Sequence, residues 1–260
     1  MKVLLVPILI VLVLLVVFYL LNKTRATSIS KTSVINLDRN TDRLAIVQQQ
    51  YQASDIGVPL ERFSAIVGHE VNLQNWLTAE TISELTEIEQ QGFRTKHHQL
   101  TRGAIGCYLS HLELLKRIKP GEVHLILEDD IVILFKSAAV IKNTLATAPS
   151  DWDFILLGHN SSKSLAYSDT LAKIKSFWGT CGYLVTYNGA QKFIRASGDT
   201  IDCQIDSFMS WMAAHGKLDI YALKIPILQP HNKFDSDIQY PIKITGPESF
   251  TYRDKILQLY

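Results

Sequence analysis

The apolar and polar positions of this chain change rhythm several times. From Val3 to Leu21 every residue is apolar, aromatic or proline, and none is charged. That run is close to the roughly 20 residues that span a bilayer. It is longer than the core of a cleavable leader, and Asn22-Lys23-Thr24-Arg25 follows it instead of a small-x-small cleavage site. It predicts one uncleaved, single-pass anchor over residues 1–22. The few flanking charges do not fix its sidedness. Residues 23–32 are short and polar and read as a stalk.

Beyond the stalk the pattern alternates between strand and helix periods. Ser33-Val34-Ile35-Asn36-Leu37 predicts a strand that stops at Asp38. A helix follows, capped by Thr41, with Leu44, Val47 and Tyr51 on one face. Residues 69–100 are polar and poorly periodic, apart from a charged helical stretch at Ala79 to Gln91, and read as an excursion over a site. Thr101 caps a second helix with Ile105, Leu109 and Leu112 as its buried stripe. Strands are expected at 123–127, 153–158, 183–186 and 218–223, and helices at 138–146, 188–196 and 201–214. This alternation predicts one α/β domain over residues 33–240 with a mainly parallel central sheet. Residues 241–260 are expected to pack on it as an extension. In such sheets ligands bind beyond the carboxyl ends of strands, where Asp38 and Glu128-Asp129-Asp130 fall.

Composition narrows the function classes. A net charge of +1 over 260 residues gives no basic footprint for nucleic acid. Cys107, Cys181 and Cys203 form no CxxC pair and suggest neither a zinc site nor a dense disulfide framework. No P-loop pattern occurs, which counts against a nucleotidyltransferase or other phosphoryl-transfer enzyme. The strongest chemical signal is Glu128-Asp129-Asp130, set between the apolar runs 123–127 and 131–135. Three adjacent acids resist burial unless a positive partner joins them. Hard divalent cations take carboxylate oxygens and keep positions open for phosphates. The same spacing also fits a polar turn between two hairpin strands.

Several segments together resemble one family. Val34 to Arg39 with Asp42-Arg43, Leu100 to His111, Leu125 to Asp130, Gly179 to Val185 with Gly189-Ala190, Gln229-Pro230-His231 and Ser236-Asp237-Ile238 follow, in order, the motifs of glycosyltransferase family 25. That family holds lipopolysaccharide and collagen galactosyltransferases. One departure is Ala104, where the commonest family pattern has Glu. Loss of that half of a capping box costs about 1 kcal/mol.

The resemblance implies a GT-A-type domain. It also implies transfer of a sugar, galactose or glucose, from a UDP-sugar to an acceptor hydroxyl, with inversion at the anomeric carbon. Expected partners are a nucleotide sugar, a glycan, lipid-linked saccharide or glycoprotein acceptor, and the membrane. The cofactor is Mn2+ or Mg2+, with Asp130 as direct ligand, Glu128 supporting and the late His231 completing the set. An imidazole beside carboxylates favours Mn2+. Asn36, Asp38, Arg43, Ser110, His111, Glu128 and Asp129 are the donor-site candidates. Arg43 either meets the diphosphate or holds Asp38. His111 is either a bonded core histidine or a donor contact.

For the base, Asp206 leads and Asp202 is second, because i, i+4 spacing sets them on one face of a helix over 201–214. Trp178 and Trp211 are candidates to stack on sugars, with core packing as the alternative. Gly103 and Gly106 are expected to admit a close backbone or ligand. The competing function is a glycan-binding pseudoenzyme that keeps the fold.

Overall fold

The computed structural model describes residues 28–96, 98–134, 136–238 and 243–244. The apolar run 3–21 and most of the segment 241–260 lie outside them. Among the described residues no helix is long and apolar enough to cross a membrane.

In chain order the first elements are β1 (Lys31–Asn36), α1 (Thr41–Ala53), β2 (Leu60–Ser64), α2 (Ala79–Gln91), β3 (Phe93–Arg94) and α3 (Arg102–Lys116). Next come β4 (Val123–Glu128), β5 (Ile131–Ile133), α4 (Ser137–Thr147), β6 (Phe154–Ala166) and β7 (Leu171–Thr186). The last are α5 (Tyr187–Ser197), α6 (Ile205–Ala214), β8 (Ile220–Leu223), β9 (Leu228–Pro230) and β10 (Lys243–Ile244).

One six-stranded sheet, in the order β2-β1-β4-β7-β6-β8, forms the centre. Strands β2, β1 and β4 are parallel, and β6 is parallel to β8. Strand β7 runs against both of its neighbours, so the sheet is mixed and not mainly parallel in its pairings. The cause is a long β6–β7 hairpin. Sequence rhythm marks only the buried inner ends of those strands, because the outer halves, with Ser164, Lys173 and Lys175, carry no continuous apolar run.

The strands read as uninterrupted apolar stretches because both faces are covered. Ile126 packs with Ile105, Leu109 and Leu112 of α3 and with Phe193 of α5. Its neighbours Leu125 and Leu127 point the other way, to Val47 and Tyr51 of α1 and to Ile141 and Leu145 of α4. Successive side chains of a strand take opposite faces, so β4 ties the two helical layers together. Truncating a fully buried residue such as Leu125 to alanine costs about 2–5 kcal/mol.

Two local expectations change. The cap of α1 is Asn40, not Thr41, and its side chain does not close the helix end. Instead its amide donates to Asp237, 2.7 Å away. Helix α6 starts at Ile205, after Gln204, and not at Ile201. Residues 201–204 are held off helical geometry by distant partners: the Ile201 N–H donates to the Trp76 carbonyl and the Gln204 amide to the Gln99 carbonyl. Asp202 is therefore outside the helix and exposed, and the expected one-face pairing with Asp206 does not form.

Candidate active site

The chain runs from β1 out to β2 on one side and later returns to β4 on the other side of β1. This is a reversal of strand order, and a crevice opens there beyond the carboxyl ends. The crevice has a volume of about 800 Å³. Leu37 and Arg39 after β1, residues 65–69 after β2, and Glu128, Asp129 and Asp130 after β4 line its floor. The start of α3 and the returning segment 236–238 form its rim.

The acids do not sit in a hairpin turn. Strand β4 belongs to the central sheet, whereas β5 leaves it to pair with β9. That second pairing brings the chain back at His231, whose N–H donates to the Asp130 carbonyl at 2.7 Å. The His231 ring packs on Phe234 at 4.8 Å between centroids, and its Nδ1 accepts from the Lys233 N–H.

Each acid meets a different environment. Asp129 is buried and accepts from the Asn36 amide at 2.6 Å and from Arg43 at 3.4 Å. Burial still raises its pKa above the ordinary value. Glu128 accepts from the Thr180 hydroxyl at 2.5 Å and lies 3.4 Å from Nε2 of His111. Burial opposes its charge, but those two neighbours hold its pKa below the usual 4.5. Asp130 differs from both: no side chain among the described residues donates to it. Burial, then the charges of Glu128 and Asp129, push its pKa up to about 7. It is the acid of the cluster whose charge the protein compensates least.

Arg43 is almost buried and organises the rim. It reaches the Asp235 carbonyl at 2.6 Å and the Asp237 carboxylate at 2.9 Å, and lies 5.1 Å over the Phe234 ring. It holds Asp129, not Asp38 as one reading of the sequence had it. Asp38 is exposed instead, bonded to Ser64 and Arg62, which lower its pKa, and it stands outside the crevice lining.

Ser110 and His111 line the crevice although fully buried. The Ser110 hydroxyl accepts from the Ile66 N–H and donates to the Gly106 carbonyl. His111 is bonded within the core, Nδ1 to Tyr183 at 2.8 Å, and also faces the site through Nε2. The two glycines of α3 admit backbone. A Cβ on Gly103 would meet the Asp237 carbonyl at 2.2 Å, and one on Gly106 the Ile66 carbonyl at 2.4 Å. The Thr101 cap forms without the missing Glu, accepting from the Ala104 N–H.

Asp206 and Asp202 are not among the crevice-lining residues. Asp206 accepts from the N–H of Gly179 at 2.8 Å and from Ser207. Burial raises its pKa despite those bonds. Gly179 has φ +82°, a bend suited to glycine, and the next residue, Thr180, is the one that holds Glu128. Trp178, on the other side of the bend, is 46% exposed, while Trp211 is buried against Phe208.

Sequence reasoning missed Arg62, which donates to both Asn36 and Asp38. It also missed Arg39 and Arg102 as lining residues and the part Asp237 plays in tying Arg39, Asn40 and Arg43 together. Asp237 had a signal, its place in the closing motif. The arginines had none, because an isolated basic residue in a loop or helix start is common.

A switch-point crevice that sets clustered carboxylates against guanidinium groups is equipment for a cation and a phosphate ester, on an α/β frame. The family model described as "Glycosyltransferase family 25 (LPS biosynthesis protein)" matches residues 29–175, more than half of the chain, and the chain belongs to that family.

Among curated relatives, a "Glycosyltransferase 25 family member" of Drosophila pseudoobscura pseudoobscura is 28% identical over 249 residues, covering 88% of this chain and 37% of that protein. "Procollagen galactosyltransferase 1-B" of Xenopus laevis is 27% identical, with 71% of this chain and 31% of that protein covered. Human "Procollagen galactosyltransferase 2" is 27% identical over 69% of this chain and 29% of its own length. The chain thus spans less than two-fifths of these relatives. A solved Drosophila β-1,4-galactosyltransferase 7, in complex with manganese, UDP-Gal and xylobiose, covers 87% of this chain and 78% of its own. It does so at 11% identity and a TM-score of 0.39, a likeness too slight to carry an argument.

Proposed function

We propose that this chain is a metal-dependent, inverting glycosyltransferase that moves a hexose, galactose or glucose, from a UDP-sugar to an acceptor hydroxyl on a glycan or glycoconjugate. The observation that carries the reading is Asp130: an acid raised to about 7, with no donating side chain among the described residues, on the floor of a crevice at the switch point. Family membership supplies the reaction class. The GT-A arrangement that the family implies is part of the proposal, supported by the parallel β2-β1-β4 unit with the acids at its carboxyl edge.

The residues present fit a hard divalent ion. Asp130 would hold it, with Glu128 in support and with His231 brought beside Asp130 by the β5–β9 pairing. Such an ion, Mn2+ or Mg2+, supplies a Lewis acid for the leaving diphosphate. Arg39, Arg43 and Arg102 line the same crevice and favour phosphate oxygens there. Asn36 and Arg43 fix Asp129, so its free lone pairs point at a sugar or ribose hydroxyl from a rigid mount. For the acceptor side, Asp206 is our base, held by the Gly179 N–H, and the exposed Trp178, next to Gly179 in the chain, is our sugar platform. Asp202, outside the helix, has no part in this scheme. The uncharged run 3–21 supports a membrane anchor for the domain.

The test is nucleotide release by the full chain in detergent from a panel of nucleotide sugars, with Mn2+ or with chelator, and with Asp130→Ala as control. Metal-dependent release from one UDP-sugar, lost in the variant, supports the proposal and names the donor. Folded protein that binds glycans but releases no nucleotide from any donor would replace it with the pseudoenzyme.

A further inference from the structure

Helix α3 presents Cys107 and His111 one turn apart, toward the end of β4. One donor atom from each of Cys107, His111 and Glu128 lies within 4.8 Å of the others. The histidine is fully buried and its ring is fixed, with Nδ1 2.8 Å from the Tyr183 hydroxyl. Its other nitrogen, Nε2, is buried without a hydrogen-bond partner and faces Oε1 of Glu128 at 3.4 Å. The same Oε1 accepts from Thr180, which sets the carboxylate plane. Cys107 is a free thiol, and with Glu128 it lines the crevice.

Thiolate, imidazole and carboxylate are the donors of zinc sites, and three protein ligands with one open position is the catalytic form of such a site. Tetrahedral zinc separates its ligand atoms by roughly 3.3–3.8 Å, given its bond lengths. The His111–Glu128 pair already stands at that spacing, and the Cys107 donor atom lies within 4.8 Å of both. Tyr183 and Thr180 are the outer partners that orient metal-binding groups. The hard carboxylate of Asp130 is a different kind of donor set, so the two sites select different ions.

We propose that Cys107, His111 and Glu128 form a binding site for Zn2+ or a similarly soft divalent cation, adjacent to the hard-ion position at Asp130 and sharing Glu128 with it, with its fourth coordination position open to the crevice. The site is read from geometry, and although it shares Glu128 with the sugar-transfer proposal, its thiolate signal tests it separately.

The experiment titrates the reduced, chelator-stripped full chain with Co2+ as a spectroscopic probe and then displaces it with Zn2+. One equivalent of Co2+ is expected to give a near-ultraviolet thiolate-to-cobalt band that Zn2+ abolishes. Cys107→Ser removes the band, while Cys181→Ser and Asp130→Asn keep it. His111→Gln weakens binding at least about tenfold. Since His111 is a core residue, Tyr183→Phe is a second probe, expected to weaken Zn2+ binding by about 10–100-fold while a cooperative, modestly lowered melt is retained. Absence of the band, or its persistence in Cys107→Ser, overturns the proposal and leaves a buried histidine–glutamate pair beside an inert thiol.

Discussion

The two edges of the central sheet treat buried charge in opposite ways. At the amino edge, Asp153 just before β6 is 1% exposed, yet its carboxylate receives Lys192 at 2.7 Å and the Asp219 N–H at 2.8 Å. A second lysine, Lys173, joins through Asp219 at 2.6 Å. That network is closed: each acid has a lysine. At the carboxyl edge, Asp130 carries burial and like charge, has no lysine or arginine paired with it among the described residues, and faces a crevice. On the function proposed above, the contrast separates a structural acid from a working one. Burial raises the pKa of both, but only one is left for an outside cation to satisfy.

The largest effect that would break this contrast is on turnover. Asp130→Ala should lower sugar transfer about 1,000-fold, roughly 4 kcal/mol of barrier, while the melting temperature holds or rises, since a repelled charge is gone. Steady-state kinetics and a thermal melt, run in chelator for the melt, read the two arms. A variant with normal turnover would make the carboxyl edge as structural as the amino edge.

Arg43 is where the carboxyl edge borrows the amino edge's solution. It bridges Asp129 and the 235–238 segment, so Arg43→Ala strands one buried acid and frees the rim. Breaking a buried pair costs about 3 kcal/mol, and denaturant unfolding should show it. Arg43→Lys should recover little, because one ammonium cannot span Asp129, Asp237 and the Asp235 carbonyl.

At the closed edge, Asp153→Ala should lower stability by about 2 kcal/mol through the lost bonds to Lys192 and Asp219, with transfer per folded molecule unchanged. Equal losses of transfer and stability in this variant would erase the distinction between the edges.

How far the two edges were legible in sequence follows from what pattern encodes. Periodicity marks helix α2 from Ala79 to Gln91, and it marks the buried cores of β4, β6 and β7, because burial on both faces writes an apolar run. It does not mark the outer half of the β6–β7 hairpin, where exposed residues of β6 pair with a stretch of β7 whose buried Leu171, Ile174 and Phe177 are interrupted by lysines. It fails at the start of α6, where Ile201 and Gln204 answer to Trp76 and Gln99, over a hundred residues away. Glu128-Asp129-Asp130 stood out because adjacent like charges are costly anywhere. Arg43, in contrast, fixed its partner only through the return of residues 235–237. A Cys and His one helical turn apart was visible, but the third donor, Glu128, joins them only once α3 lies across the end of β4.

The smallest effect is a pair of opposed pH slopes, and it sharpens the comparison most. His124, on the amino half of β4, is buried, and its Nε2 donates to the Glu122 carboxylate at 2.9 Å. Burial holds its pKa below the ordinary 6.5, with Glu122 opposing. The unfolded chain therefore takes up a proton below pH 6.5 that the folded chain resists, and stability falls with acid until the folded pKa is passed. Asp130 works the other way. Its folded pKa of about 7 stands above the 3.8 of the free group. Between those values the folded chain binds the extra proton, so stability rises as pH falls from 7 toward 4. In metal-free protein the two terms oppose one another between pH 7 and 5. Relative to the parent, the denaturant midpoint over that range should turn downward with acid in Asp130→Asn and upward with acid in His124→Gln. Addition of Mn2+ should abolish the rise, because an ion on Asp130 keeps it charged. Parallel slopes in all three chains would mean that the edges do not differ in kind.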